Sequence, residues 1–244
     1  MKSYKGFDKD LKCRGFQYEI GKEYEEAEAI QCQKGFHACE HPLDVLGYYP
    51  PVEGSRYCEV EQSGDISKGD DDTKVASTKI KIGAEIGLKG LIHAAFEYTK
   101  KRCTNNVVGA DSSALTGGNW SALTGGYNSA LTGGNWSALT GGNWSALTGG
   151  NWSALTGGYS SALTGGNWSA LTGGYSSALT GGDWSVLYGG ENAKMRAKKG
   201  SVLAFQVWED YKMVGIRFAE VDGKKIKEDT WYQLVDGKIT EVNE

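Results

Sequence analysis

An eight-residue unit, Ser-Ala-Leu-Thr-Gly-Gly-x-x, recurs ten times without a gap, its copies starting at Ser113, Ser121, Ser129, Ser137, Ser145, Ser153, Ser161, Ser169, Ser177 and Ser185. A fixed short period means that each unit stacks on its neighbours. Eight residues are too few for a helical hairpin, and they suit one short strand plus one corner. The chain is therefore expected to be mainly β, with a β-solenoid at its centre. Side chains alternate along a strand. Leu, the only large apolar residue of the four, must point inward. Ser shares the inner face, and Ala and Thr point out. The Gly pair is expected to give the corner its backbone freedom.

The last two residues of each unit predict the coil size. Odd-numbered units end in Asn119-Trp120, Asn135-Trp136, Asn151-Trp152, Asn167-Trp168 and Asp183-Trp184. Even-numbered units end in Tyr127-Asn128, Asn143-Trp144, Tyr159-Ser160, Tyr175-Ser176 and Glu191-Asn192. This parity predicts two units, hence sixteen residues, per coil. Five such coils would stack over roughly 20–25 Å. The frame also extends outward. Val107 falls in the Leu slot of a degenerate unit before the array, Met195 in that of one after it, and Ser201-Val202-Leu203 returns in phase. The predicted organisation is an α/β N-terminal domain over 1–104, a solenoid over 105–204 and a small antiparallel β cap over 205–244.

The flanks follow from local patterns. Tyr4 to Phe7, Gly15 to Ile20, Arg56 to Gln62 and Thr78 to Ile82 read as strands, and His41 to Leu46 as a helix start with an early Pro. Leu88 to Arg102 reads as an amphipathic helix, with Leu91, Ile92, Ala95 and Phe96 on one face. It is placed to cover the open edge of the first coil, which would otherwise invite strand pairing. Val202 to Trp208, Met213 to Glu220 and Trp231 to Leu234 read as strands. Asp222-Gly223 and Asp236-Gly237 supply hairpin turn signals.

Charge narrows the function. No Lys or Arg lies between Arg102 and Lys194, and that stretch holds three acids, Asp111, Asp183 and Glu191. A neutral solenoid argues against nucleic-acid binding, which needs clustered cations. It is also too poor in carboxylates to mimic DNA. The first residues carry no apolar run, and no stretch approaches a membrane span. The five cysteines, Cys13, Cys32, Cys39, Cys58 and Cys103, are an odd count without a secretory signal. They read as reduced thiols of a cytoplasmic protein.

The aromatic residues are the candidate binding residues. A two-strand coil has a thin interior, so Trp must lie at a corner or outside. Trp120, Trp136, Trp152, Trp168 and Trp184 are expected to form one ladder. Tyr127, Tyr159 and Tyr175 would form a partial ladder opposite, and Trp144 belongs to the same candidate set. Such ladders stabilise neighbouring coils, offer a stripe to a partner protein or a second copy of the chain, or do both.

Other chemistry finds little purchase. Cys32, His37, Cys39 and His41 have metal-ligand residue types at a spacing that is not a standard zinc pattern. The favoured reading is reduced cysteines with no metal. No phosphate-cradling loop or nucleophile elbow is present, and His93 reads as structural. No catalytic set and no cofactor are expected.

Three resemblances bear on these expectations. Gly174-Tyr175-Ser176-Ser177-Ala178-Leu179-Thr180 resembles the octapeptide of bacterial ice-nucleation proteins, which implies sixteen-residue coils. The outward pair here is Ala-x-Thr where that family has Thr-x-Thr, which weakens an ice-binding reading; a self-assembling solenoid stays an alternative. Lys5-Gly6-Phe7, Cys13-Arg14-Gly15-Phe16-Gln17-Tyr18, Gly35-Phe36-His37-Ala38-Cys39, Pro42-Leu43-Asp44-Val45-Leu46, Val221-Asp222-Gly223 and Asp229-Thr230-Trp231-Tyr232 resemble a family of phage and prophage proteins with variable octapeptide tracts. That resemblance carries no settled activity and implies a phage or mobile-element context. Together with the ladder surface and the lack of a catalytic set or cationic track, the expectation is a non-enzymatic protein that binds a host protein, such as a component of an antiviral defence complex (an anti-CRISPR role is one example). Finally, Tyr4-Lys5-Gly6, Gly35-Phe36-His37 and Tyr57 to Ile66 are similar in order to strands of ADP-ribosyltransferase-like domains. Lys5 stands where that family has an NAD-binding Arg or His, and no catalytic Glu can be placed. The implication is a degenerate domain of that type.

Overall fold

The computed structural model describes residues 1–51, 54–69 and 73–243. It divides into two compact units, Met1–Ala95 and Phe96–Glu244.

In the first unit the strands are β1 (Lys2–Phe7), β2 (Lys12–Cys13), β3 (Phe16–Gln17), β4 (Glu23–Glu25), β5 (Phe36–Cys39), β6 (Arg56–Lys68) and β7 (Lys74–Glu85). The large sheet runs β4-β7-β5-β1-β6, and β7 also pairs with β6, so the sheet closes into a small barrel. Two register shifts in the β6–β7 pair, at Cys58/Val60 and Ser63/Ile66, supply the bends that closure requires. Phe7, Tyr18, Phe36, Val60, Ile80 and Ile82 form its core. The buried Gln62 ties the wall together. Its Nε2 donates to Phe36 O at 2.9 Å, Val75 O at 3.1 Å and Ser77 Oγ at 3.1 Å, while its Oε1 accepts from Ser3 Oγ at 2.6 Å. The strand expected over Gly15 to Ile20 shrinks to the two residues of β3, because Cys13-Arg14-Gly15-Phe16 turns back as a tight hairpin. Pro42–Gly47 is a 3-10 helix. Helix α1 (Gly87–Arg102) runs from the first unit into the second, with Leu91, Ile92 and Ala95 buried.

The second unit is the solenoid. One parallel ladder comprises Asn105–Val108, Ser121–Thr124, Ala138–Thr140, Ala154–Thr156, Ala170–Gly173, Val186–Gly189 and Val202–Glu209. The other comprises Ala114–Thr116, Ala130–Thr132, Ala146–Thr148, Ala162–Thr164, Ala178–Thr180 and Lys194–Arg196. Strands pair in register sixteen residues apart, Leu139 with Leu155 in one sheet and Leu147 with Leu163 in the other. The coil is therefore two octapeptides. Val107 pairs with Leu123, Met195 with Leu179 and Leu203 with Leu187, so the degenerate units hold the expected phase. The leucines from Leu123 to Leu187 are 0–1% exposed and form one continuous core.

The C-terminal strands are antiparallel, as expected, but they extend the solenoid sheets and do not form a sheet of their own. Lys212–Glu220 pairs with Val202–Glu209, and Tyr232–Val235 pairs with Lys194–Arg196 and with Lys238–Glu241. Of the two Asp-Gly signals, only Asp236-Gly237 makes a hairpin, with φ of 49° and 74°. Asp222 caps a loop instead: its Oδ1 accepts from the N–H groups of Lys224, Lys225 and Ile226 at 2.8–3.1 Å. The other hairpin turns at Asp210-Tyr211, with φ of 48° and 62°.

Candidate functional site

Each solenoid corner is built from the last four residues of the octapeptide, and it overturns one expectation. The repeat glycines do not carry the left-handed conformation. It falls on the eighth residue, at φ 50–62° for Trp120, Asn128, Trp136, Trp144, Trp152, Ser160, Trp168, Ser176, Trp184 and Asn192. The glycines are needed for space. A Cβ at Gly141 would meet Ser145 Cβ at 2.6 Å and Leu147 Cδ1 at 2.8 Å. At Gly134 it would meet Asn119 Oδ1 at 2.4 Å and Asn119 N at 2.7 Å. A left-handed non-glycine residue costs roughly 1–2 kcal/mol, so every corner needs compensating contacts.

Two polar ladders supply them. Ser153 Oγ accepts from Ser137 N at 3.3 Å and donates to Gly134 O at 3.2 Å, and the inward serines of neighbouring coils repeat this pattern. Asn119 Oδ1 accepts from Asn135 N at 2.9 Å, Asn135 Oδ1 from Asn151 N at 2.8 Å, and Asn151 Oδ1 from Asn167 N at 2.9 Å. These bonds fix the corners at the strand spacing.

That spacing stacks the indoles outside the core. Trp120, Trp136, Trp152, Trp168 and Trp184 form a single column with successive ring centroids 4.9, 4.9, 5.2 and 5.7 Å apart and planes within 14°. Trp168 and Trp184 are 40% and 53% exposed. Trp144 is not part of this column. It lies on the other ladder, 5.6 Å from Tyr159, which stacks on Tyr175 at 5.3 Å with planes 4° apart. Tyr127 is followed one coil later by Asn143, so the tyrosine column is interrupted there. All four of these rings are exposed.

The two outer faces differ. Ala130, Ala146 and Ala162, with Thr132, Thr148 and Thr164, are exposed, as expected of outward residues. Ala122, Ala138, Ala154 and Ala170 are only 2–7% exposed, so the outward alanines on the indole side are covered. Sequence reading missed a further exposed apolar group on the Asp210-Tyr211 hairpin, comprising Trp208, Tyr211, Met213 and Val214. Its signal was the unpaired apolar residues around Asp210, which read only as strand ends.

Cys32, His37 and Cys39 line one cavity of the barrel but are not arranged as a metal-ligand set. Cys32 N–H donates to His37 Nε2 at 2.9 Å, Cys32 is exposed and Cys39 is buried. Among the described residues, no group of three or more His, Cys, Asp or Glu side chains is placed to hold a metal ion. No helix among them is long and apolar enough to cross a membrane.

The architecture defines a β-solenoid with sixteen-residue coils that follows a small β-barrel carrying a helix. Residues 1–94, which hold the barrel strands, match the family model described as Domain of unknown function (DUF7666). No curated protein and no solved structure matches the chain.

Proposed function

We propose that this protein acts by binding another protein and not by catalysis, with the solenoid as its recognition element. The observation that carries this reading is the exposed aromatic column of Trp144, Tyr159 and Tyr175 beside the flat Ala/Thr face. Tyr and Trp dominate the energetics of protein interfaces. Here they are held at a fixed spacing by the backbone ladder, so little side-chain freedom remains to be lost on binding. The stretch from Cys103 to Ala193 contains no cation, which favours a protein surface over a phosphate backbone. The resemblance to phage and prophage proteins supports a host protein as the partner, with a component of antiviral defence as the leading class.

A photo-crosslinking residue at Thr148 should join the partner, whereas the same residue at Lys22, on the barrel, should not. Capture of that partner should weaken at least about tenfold when Trp144, Tyr159 and Tyr175 are changed together to Ser. Equal capture by the triple variant would refute the reading.

A further inference from the structure

The barrel has an opening that its pairing pattern explains. Strand β1 pairs with β6 along its whole length, from Lys2↔Glu61 to Phe7↔Arg56. It pairs with β5 at a single position, Tyr4↔Cys39. Beyond that point the β1/β5 seam is open, and a cavity of about 590 Å³ lies there, within the size range of small-molecule sites.

The cavity's charge is unlike that of the rest of the chain. Its lining includes Lys5, Arg14, Lys34 and Lys74 against one carboxylate, Glu26, in a chain whose formal net charge is -4. Lys34 is paired with Glu28, and Lys74 lies over the Tyr48 ring with Nζ donating to its hydroxyl at 2.9 Å. Lys5 and Arg14 are different. Lys5 is 4% exposed, and its Nζ donates to His37 O at 2.7 Å and to Cys13 Sγ at 3.4 Å. No carboxylate pairs with it among the described residues, and burial holds its pKa below the ordinary lysine value. A buried cation without a counter-charge is costly.

Arg14 sits at φ 49° at the tip of the β2–β3 hairpin, followed by Gly15 at φ 82°. Asn, Asp or Gly suits the first of these turn positions, and Arg there is strained. Its side chain is exposed and makes no hydrogen bond or ion pair among the described residues. The remaining wall is aromatic. Tyr4, Phe16, Tyr18, Phe36, Tyr48 and Tyr49 line it. Tyr49 lies directly against the strand because Gly6 has no side chain: a Cβ there would meet Tyr49 Cβ at 2.6 Å. Flat apolar walls with convergent donors are what a small organic ligand requires.

We infer that this cavity binds a small aromatic anion, its planar ring between the aromatic walls and its phosphate or carboxylate on Lys5 and Arg14. The anion supplies the counter-charge that the barrel withholds from Lys5. It also gives the strained Arg14 a partner for its fork of donors. This site is independent of the solenoid surface proposed above.

The test uses the full chain and a matched set of probes: 1-naphthyl phosphate, 1-naphthoate, uncharged 1-naphthol and inorganic phosphate. Binding is read by calorimetry and by NMR shifts. One or both of the charged naphthyl probes should bind and shift the amides of Lys5, Arg14 and His37, and the better of the two identifies the anion type. Naphthol and inorganic phosphate should each bind at least about tenfold more weakly. Arg14→Gln, at an exposed position, should lose at least about tenfold in affinity. Lys5→Met should abolish binding while its unliganded melting temperature equals or exceeds that of the parent chain. No shift with either naphthyl anion would overturn the inference. So would inorganic phosphate binding as tightly, or unchanged affinity in both variants.

Discussion

The carboxamide of Asn135 accepts a hydrogen bond from the backbone N–H of Asn151, one coil on, at 2.8 Å. The same bond links Asn119 to Asn135 and Asn151 to Asn167. Where Tyr replaces Asn, as at Tyr159 and Tyr175, the side chain offers no carbonyl at that position. Asn135→Ala should therefore destabilise the solenoid by about 1 kcal/mol. Urea unfolding will show this as a lower midpoint with an unchanged slope.

The left-handed indole corners give a second expectation. Trp168 stacks on Trp152 and on Trp184 at φ 59°. Trp168→Gly loses the stacking and relieves the backbone, whereas Trp168→Ala loses the stacking and keeps the strain. The Ala variant should be less stable than the Gly variant by about 1 kcal/mol. The reverse order in thermal melts would show that the corner conformation is not the source of cost.

Two glycines at the same octapeptide position should respond differently. A Cβ at Gly118 meets nothing within 4 Å, whereas at Gly134 it meets Asn119 N at 2.7 Å. Gly134→Ala should cost about 1–3 kcal/mol through overpacking, and Gly118→Ala should stay within about 0.5 kcal/mol. Paired denaturation curves will decide.

Stability should also fall on mild acidification. Burial, and then the nearby charges of Lys5, Arg14 and Lys74, hold the pKa of His37 below its ordinary 6.5, and the Gly35 backbone opposes this only in part. The unfolded chain therefore takes up the proton more readily than the folded one. His37 thus favours the unfolded state as pH drops below 6.5 toward the folded pKa, and it has no such effect above that range. Protonation would also cost the bond from Cys32 N–H to Nε2. His37→Gln should lose less stability than the parent chain between about pH 7.5 and about pH 5.5.

Coil size can be tested by deletion. Removing residues 145–160 takes out one coil and leaves every later strand in its own sheet. Removing only 145–152 moves each later strand to the opposite sheet, with the wrong hairpin at its end. The first deletion should keep the cooperative melt and the second should lose it. Equal behaviour would contradict the sixteen-residue pairing.

The solenoid was legible because its period is a direct physical signal. A Leu every eighth residue has one way to stay dry, and the Asn-Trp parity names the partner strand. The corner was not legible in the same way. Position alone does not say whether a glycine is there for its dihedral freedom or for its missing Cβ, and Gly134 proves to be the second kind. The covered alanines of one sheet depend on tertiary packing that an identical Ser-Ala-Leu-Thr cannot encode. In the barrel, strands such as β2, β3 and β5 are too short to show periodicity. Lys5 illustrates the limit: the resemblance marks it only as standing in place of an NAD-binding Arg or His, and its burial beside the open seam depends on strands distant in sequence.

Antiparallel strands end both solenoid sheets on the C-terminal side. A stack of equivalent turns has no intrinsic stopping point, and its bare end would template another molecule as an amyloid fibril end does. By reversing direction in both sheets, Lys212–Glu220 and the pair Tyr232–Val235 with Lys238–Glu241 present a mismatched surface to any incoming parallel strand. Truncation before residue 205 should thus expose parallel edges and promote polymerisation relative to the full chain, as light scattering will show.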